Sequence, residues 1–264
     1  MPGEGKPDFG EVVEVLNPLG DGPVVLVCEH ASARIPDHLG ALGLNDAARQ
    51  SHAAWDPGAL AVAQLLSEAL NAPLVAARVS RLVYDCNRPP DLPSAMPVRS
   101  ELIEVPGNVG LGAAAREERI KAVYHPFCAA VDAVLSARLE RGQSTAIVTV
   151  HSFTPVYFGV KREGEIGVLH DTDSRLSDAI LSRAGIIAPR IMRRNEPYGP
   201  MDDVTHSLRI YGVANGLNNV MIEIRNDLLK SPDGCARLAR ELLLLLQPAL
   251  KDIGLITREV SADA

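Results

Sequence analysis

Three short, apolar, β-branched runs that each stop at an ionisable residue constrain this chain more than any other feature. Val24–Cys28 leads into Glu29-His30-Ala31-Ser32, Ala146–Val150 into His151-Ser152-Phe153, and Asn219–Ile222 into Glu223-Ile224-Arg225. Continuous apolar runs of this length suit strands buried on both faces. Pro73 to Val79 and Ile166 to Leu169 read as further strands. Helical patterns separate them, at Asp56 to Leu70, Ala113 to Leu139 with a kink at His125-Pro126, Ser174 to Ala184 and Pro232 to Leu246. Strands alternating with helices require crossover connections, hence one α/β domain with a mostly parallel sheet and helices on both faces. The first twenty and last eight residues read as loosely ordered ends.

Composition narrows the function. An apolar share of 47% over 264 residues supplies ample surface for a core. Lys plus Arg number 26 against 33 for Asp plus Glu, a net charge of −7, which argues against a nucleic-acid or anionic-membrane surface. The longest aliphatic run, Leu242 to Leu246, is far short of the ~20 residues of a membrane span. The N-terminal stretch lacks the basic start and apolar core of a signal peptide. The four cysteines, Cys28, Cys86, Cys128 and Cys235, are scattered with no CxxC pair. A cytoplasmic protein with reduced thiols is expected.

The carboxyl ends of parallel strands share one edge of a sheet, where ligands bind. His30, His151 and Glu223 are therefore expected at a common site, although each alone also suits an ordinary hydrogen-bonded residue. Two imidazoles and a carboxylate suit zinc or another divalent metal, with a fourth position for water. Glu223, on a strand of its own, is the candidate general base. Glu29 and Asp56 contend for the acidic ligand. Neighbours on an extended segment point to opposite faces, which sets Glu29 against His30, so Asp56 is preferred, with Asp56 as an N-cap before Pro57 the competing reading.

Ser80 to Pro90 (SRLVYDCNRPP) packs Arg81, Asp85, Asn87 and Arg88 into eight positions. An Arg beside an Asn matches a substrate carboxylate, with Asp85 holding an arginine in place; a surface salt-bridge cluster is the alternative. Ser32 and Ser152 lack the GxSxG elbow of a serine hydrolase. Gly107 to Gly110 reads as a turn rather than a phosphate loop. Arg193, Arg194, Asn195 and Tyr198 either close over an acidic substrate or form a solvated loop. Cys28 reads as packing, His125 as a core or surface residue, and His206 as a minor candidate in a helix over Met201 to Tyr211.

The ordered set EHASARIP (Glu29–Pro36), HAAWDPGA (His52–Ala59), SRLVYDCNRPP, VPGNVGL (Val105–Leu111), YHPF (Tyr124–Phe127), VHSF (Val150–Phe153), NEPYGP (Asn195–Pro200) and IEIRNDL (Ile222–Leu228) resembles the N-formylglutamate amidohydrolase family. The resemblance implies a three-layer α/β/α, phosphorylase/hydrolase-like fold with a mostly parallel mixed sheet, related to zinc carboxypeptidases and aspartoacylases. It also implies hydrolysis of an N-formyl amino acid to formate and free amino acid, as in one route of histidine degradation. His30 and His151 match the family's metal histidines, Asn87-Arg88 the carboxylate-gripping pair of those relatives, and Glu223 their catalytic glutamate. The carboxypeptidase pattern has an acidic ligand three residues after the first histidine; here that position is Ala33, so Asp56 takes the role. Arg81, Asn195 and Arg225 complete the expected substrate contacts. A zinc amidase or peptidase for another N-acyl compound, or a carboxylate-binding protein without the ion, are the alternatives.

Overall fold

The computed structural model describes residues 7–256. In chain order the strands and helices are β1 (Val13–Leu16), β2 (Val24–Cys28), α1 (Asp46–Gln50), α2 (Ala59–Ala69), β3 (Leu74–Ala77), β4 (Arg99–Ser100), β5 (Ile103–Glu104), α3 (Ala113–Arg119), α4 (His125–Glu140), β6 (Ala146–Phe153), β7 (Val156–Tyr157), β8 (Val160–Lys161), β9 (Ile166–Leu169), α5 (Arg175–Leu181), β10 (Met192–Arg194), β11 (Asn218–Arg225) and α6 (Pro232–Asp252).

A seven-stranded sheet runs in the order β1-β3-β2-β6-β11-β9-β10. β3, β2, β6 and β11 are mutually parallel, whereas β1 is antiparallel to β3 and β9 to β11. The sheet is thus mostly parallel and mixed. The alternation of β2 explains the layers: Val24, Leu26 and Cys28 join a core with α2, α5 and α6, while Val25 and Val27 join one with α4 and the 82–86 segment. Both faces are covered, giving the three-layer α/β/α arrangement. Among the described residues no helix is long and apolar enough to cross a membrane.

Several expectations shift. Residues 13–16 of the supposedly loose N-terminal end form β1, paired along β3 from Val13–Ala77 to Leu16–Leu74. The last eight residues, 257–264, lie outside the described residues. The long helical pattern is split by a π-turn over Ile120–Tyr124, directly before Pro126, which has no N–H to continue an i→i−4 ladder. The helix expected over Met201 to Tyr211 is broken instead at Asp203, which sits at φ 57° between a 3₁₀ turn (Pro200–Asp202) and a π-turn (Leu208–Gly212). Helix α2 begins at Ala59, capped by Gly58 at φ 82°. That leaves Asp56 free of capping duty. Gly58 is required: a Cβ there would meet the Leu229 side chain at 2.4 Å.

Arg138 ties the amino-terminal ends of the central strands together. It is fully buried with no carboxylate partner among its contacts, and donates to the carbonyls of Gly20, Gly22 and Ser144 and to Thr145 Oγ1. Arg138→Met strands these acceptors, and at about 1–3 kcal/mol for each buried unsatisfied group we expect a loss of about 3 kcal/mol or more. A urea midpoint unchanged from wild type would refute this.

Candidate active site

The adjacent strands β2, β6 and β11 carry the site. Parallel register places Glu223 beside His151. Just beyond β2 the chain turns at Glu29-His30, and Asp56 is brought alongside by a backbone bond from its N–H to the His30 carbonyl, 2.9 Å. His30, Asp56 and His151 are all buried, with one donor atom from each within 4.8 Å of the others. His30 Nδ1 and His151 Nδ1 are 3.1 Å apart; Asp56 Oδ2 is 3.3 Å from the first and 2.9 Å from the second.

The outer nitrogens decide what this cluster holds. His30 Nε2 lies 2.7 Å from Asp85 Oδ1, and His151 Nε2 lies 3.1 Å from Glu29 Oε2. With each Nε2 proton directed towards its carboxylate, as in carboxylate–histidine–metal triads, each ring would turn an Nδ1 lone pair inward to a bound metal. Burial opposes a charge on His151, but Glu29 and Asp56 more than offset it and hold the imidazole well above its ordinary value, so in the metal-free chain a proton sits among these atoms. A divalent cation would take that proton's place between the same three atoms. Tetrahedral zinc with ~2.1 Å ligand bonds spaces its ligand atoms about 3.4 Å apart, within about 0.5 Å of the separations here. The residues fit a divalent metal.

Electrostatics reinforce the assignment. Burial pushes the Asp85 carboxyl up, but the charges of Arg81 and His30 hold it well below the carboxylate range. Arg81 Nη2 binds Asp85 Oδ2 at 2.7 Å, and Arg81 Nη1 lies 3.5 Å from Asp56 Oδ1. Burial likewise opposes ionisation of Glu29, and His151 more than offsets it. Glu223 behaves differently: burial, with Asp56's charge adding, pushes it up to about 7 against the opposing pull of His151. Its Oε2 is buried without a hydrogen-bond partner. On β9, opposite Glu223, sits Gly167, where a Cβ would meet the Glu196 carbonyl at 2.1 Å and Glu223 Cβ at 3.1 Å.

One cleft is lined by His30, Asp56, His151 and Glu223 together with Arg81, Asn87 and Arg88. Within it the Asn87 amide is already engaged. Its Nδ2 donates to the Val204 carbonyl (2.6 Å) and its Oδ1 accepts from Ser207 N–H (3.0 Å). Arg88 donates from Nη1 to the Asn87 carbonyl, 2.8 Å. The segment is braced from behind by Asn108, whose amide reaches the Leu82 and Pro97 carbonyls, and by Arg119, which binds Asn108 Oδ1.

Two expected contacts fall elsewhere. Arg225 does not line this cleft; it binds Asp227 and the carbonyls of residues 162–164 and borders a separate cavity with Arg190 and Glu241. Asn195 is also outside the lining: it adopts φ 48°, and its Oδ1 accepts from His170 N–H at 2.9 Å, closing its own loop. Arg193 and Arg194 pair with Glu196 and Asp178. His206 Nε2 pairs with Tyr124 Oη, 2.8 Å. Asp85 holds Arg81 as expected, and Glu29 lies behind His151 rather than among the inward-facing ligand atoms; what pattern reading did not assign is their contact with the outer histidine nitrogens. For Glu29 the signal was its place beside His30; for Asp85 it was an acid flanked by arginines.

A mostly parallel α/β sandwich with a buried His–Asp–His cluster and a perturbed glutamate at the carboxyl ends of its strands belongs to the hydrolase class. The model of the N-formylglutamate amidohydrolase family matches residues 22–230. The chain belongs to that family and is an amidohydrolase. The crystal structure of a gene product from Agrobacterium tumefaciens is similar, with 55% identity and a TM-score of 0.91, covering 92% of this chain and 96% of that one. The N-formylglutamate amidohydrolase from Ralstonia eutropha JMP134 has the same fold at 21% identity and a TM-score of 0.56, covering 91% of this chain and 97% of that one. No curated protein sequence matches the chain.

Proposed function

We propose that the chain hydrolyses a small N-formyl (N-acyl) amino acid, with N-formylglutamate the substrate, to formate and the free amino acid in a metal-dependent reaction. The observation that carries the metal dependence is the convergence of His30 Nδ1, His151 Nδ1 and Asp56 Oδ2, three buried ligand atoms 2.9–3.3 Å apart. These three residues would hold zinc or another divalent ion, which when bound supplies a water of lowered pKa and a polarised acyl carbonyl. Glu223 takes the proton of the attacking water at its unpartnered Oε2 and returns it to the departing nitrogen; a group near 7 serves both steps. Asp85 and Glu29 hold the outer histidine protons and fix both ring orientations.

Arg88 receives the substrate α-carboxylate, since it lines the cleft and its guanidinium has no carboxylate partner among the described residues. Arg81, tied to Asp85 and Asp56, adds positive charge beside the metal ligands. Asn87 holds the 204–207 segment in place while lining the cleft. Arg225 and Asn195 are left out of substrate contact for the reasons above. Four free thiols, three of them buried, suit a reducing compartment, and we place the enzyme in the cytoplasm.

Metal removal tests this reading. Protein purified without chelator is expected to carry about one divalent ion per chain. Dialysis against chelator should abolish formate release from N-formylglutamate, and zinc should restore it. A chelated protein of undiminished activity overturns the metal dependence. Turnover of N-acetyl or peptide derivatives in preference to the formyl compound overturns the substrate.

A further inference from the structure

The cleft contains a polar group that none of these roles uses, the phenol of Tyr198. Arg162 sits in a cage of three aromatic rings, its guanidinium carbon 4.4 Å from the Tyr157 ring centre, 4.8 Å from Tyr198 and 5.6 Å from Phe153. Both terminal nitrogens, Nη1 and Nη2, donate to Tyr198 Oη, each at 3.1 Å. A phenol oxygen has two lone pairs and one proton. Two guanidinium donors occupy the lone pairs, so the proton has to be donated away from Arg162. Tyr198, Tyr157 and Phe153 all line the cleft, and Arg162 does not. Donation away from the cage is thus donation into the cleft.

We propose that Tyr198 is a catalytic hydrogen-bond donor to the acyl oxygen of the substrate, and that Arg162 is the positioning residue that fixes its hydroxyl. This rests on the amidohydrolase reading given above. Negative charge grows on the acyl oxygen as the amide is attacked, and a fixed donor there acts more strongly in the transition state than in the ground state. Proton donation to a cationic clamp would be wasted; the clamp instead polarises the O–H. The groups whose charges reach the phenol are Glu223 and Arg81 besides Arg162, and the first two flank the His30–Asp56–His151 cluster. Burial and Glu223 keep the phenol protonated, its pKa above the ordinary tyrosine value, so the donor is present across the working pH range. The α-carboxylate has a better partner in the guanidinium of Arg88, which leaves the neutral hydroxyl for the neutral carbonyl.

The test uses the metal-loaded full chain and N-formylglutamate. Tyr198→Phe removes one oxygen and keeps the ring over Arg162. It is expected to lower kcat by about a hundredfold, in the range for loss of one transition-state donor, with KM within about threefold. Arg162→Met should lower kcat by about tenfold in the wild-type background and have little further effect in the Tyr198→Phe background, because both act through one hydrogen bond. If Tyr198→Phe folds poorly, Arg162→Met reads the same bond from its other side. A Tyr198→Phe enzyme within twofold of wild-type kcat, a change in KM alone, or full additivity of the two variants overturns the donor role. A wild-type chain inert towards N-formylglutamate overturns the substrate reading and the donor with it, a result distinguishable because it appears before any substitution.

Discussion

Replacing Glu223 with Gln is expected to lower kcat by about a thousandfold while the chain still binds its metal. Gln keeps the shape and one acceptor oxygen but cannot take a proton, and general acid–base groups contribute roughly 10²–10⁴-fold. The metal is retained because Glu223 is not part of the converging triad, which is His30, Asp56 and His151. A second consequence concerns stability of the metal-free chain. The Glu223 carboxyl is raised from 4.5 to about 7 in the folded protein, chiefly by burial. A raised carboxylate favours folding least where it must ionise, so stability is lost as pH climbs from the unfolded value through about 7. At ~1.4 kcal/mol per unit, the cost at pH 8 is about 3 kcal/mol. Glu223→Gln should therefore stabilise the metal-free protein at pH 8 and leave it little changed at pH 4.5. Formate release, metal content and denaturation midpoints at the two pH values check all three outcomes. A Gln variant within several-fold of wild-type turnover removes Glu223 from the chemistry.

Such a trade of stability for function was partly legible in the residues themselves. Runs such as Val24–Cys28 and Ala146–Val150 are apolar or, at Thr149, β-branched throughout, so their burial on both faces followed without tertiary information, and with it the parallel core. The ionisable residues after them had to gather at one edge. Helix α2 was legible as an element, but its start was not. Gly58 at φ 82° takes the cap and turns Asp56 towards the histidines, a choice of backbone rotation that spacing does not reveal. The β1 strand was missed because Val13–Leu16 is half-buried and follows a polar stretch; it is an edge whose partner, β3, lies some 60 residues on, and only long-range pairing reveals it. Alternation along an extended segment argued that Glu29 and His30 face apart. They do diverge, yet His151 reaches between them, presenting Nδ1 to one group and Nε2 to the other. Asn195 and Arg225 illustrate the converse. Both belong to informative motifs, but their side chains satisfy local backbone groups instead, and chemistry-bearing residue types are equally apt for closing loops.

Removing His151 is expected to abolish metal binding and, separately, to destabilise the fold by about 3–5 kcal/mol, the cost of breaking a buried ion pair on one side. The second effect originates in Glu29. The residue is only 1% exposed, neither carboxylate oxygen has a hydrogen bond of good geometry, and its ion-pair partner is His151, with Nε2 at 3.1 Å. In His151→Ala that charge is left alone in an apolar setting beside Cys28 and Cys86, whose thiols burial and nearby carboxylates already push well up. Glu29→Gln in the same background removes the charge, so His151→Ala/Glu29→Gln should recover much of the lost stability without recovering metal or turnover. Glu29→Gln alone leaves all three inward-facing donor atoms in place and removes only the outer acceptor of His151; a 10–100-fold weaker metal affinity is expected from such an outer-sphere change. Urea denaturation of the four chains, each freed of metal, gives the coupling energy between the two sites. Titration with zinc gives the affinities. If His151→Ala and the double variant are equally unstable, Glu29 is not a charge that His151 compensates, and the assignment of proton-bearing Nε2 and metal-facing Nδ1 fails with it.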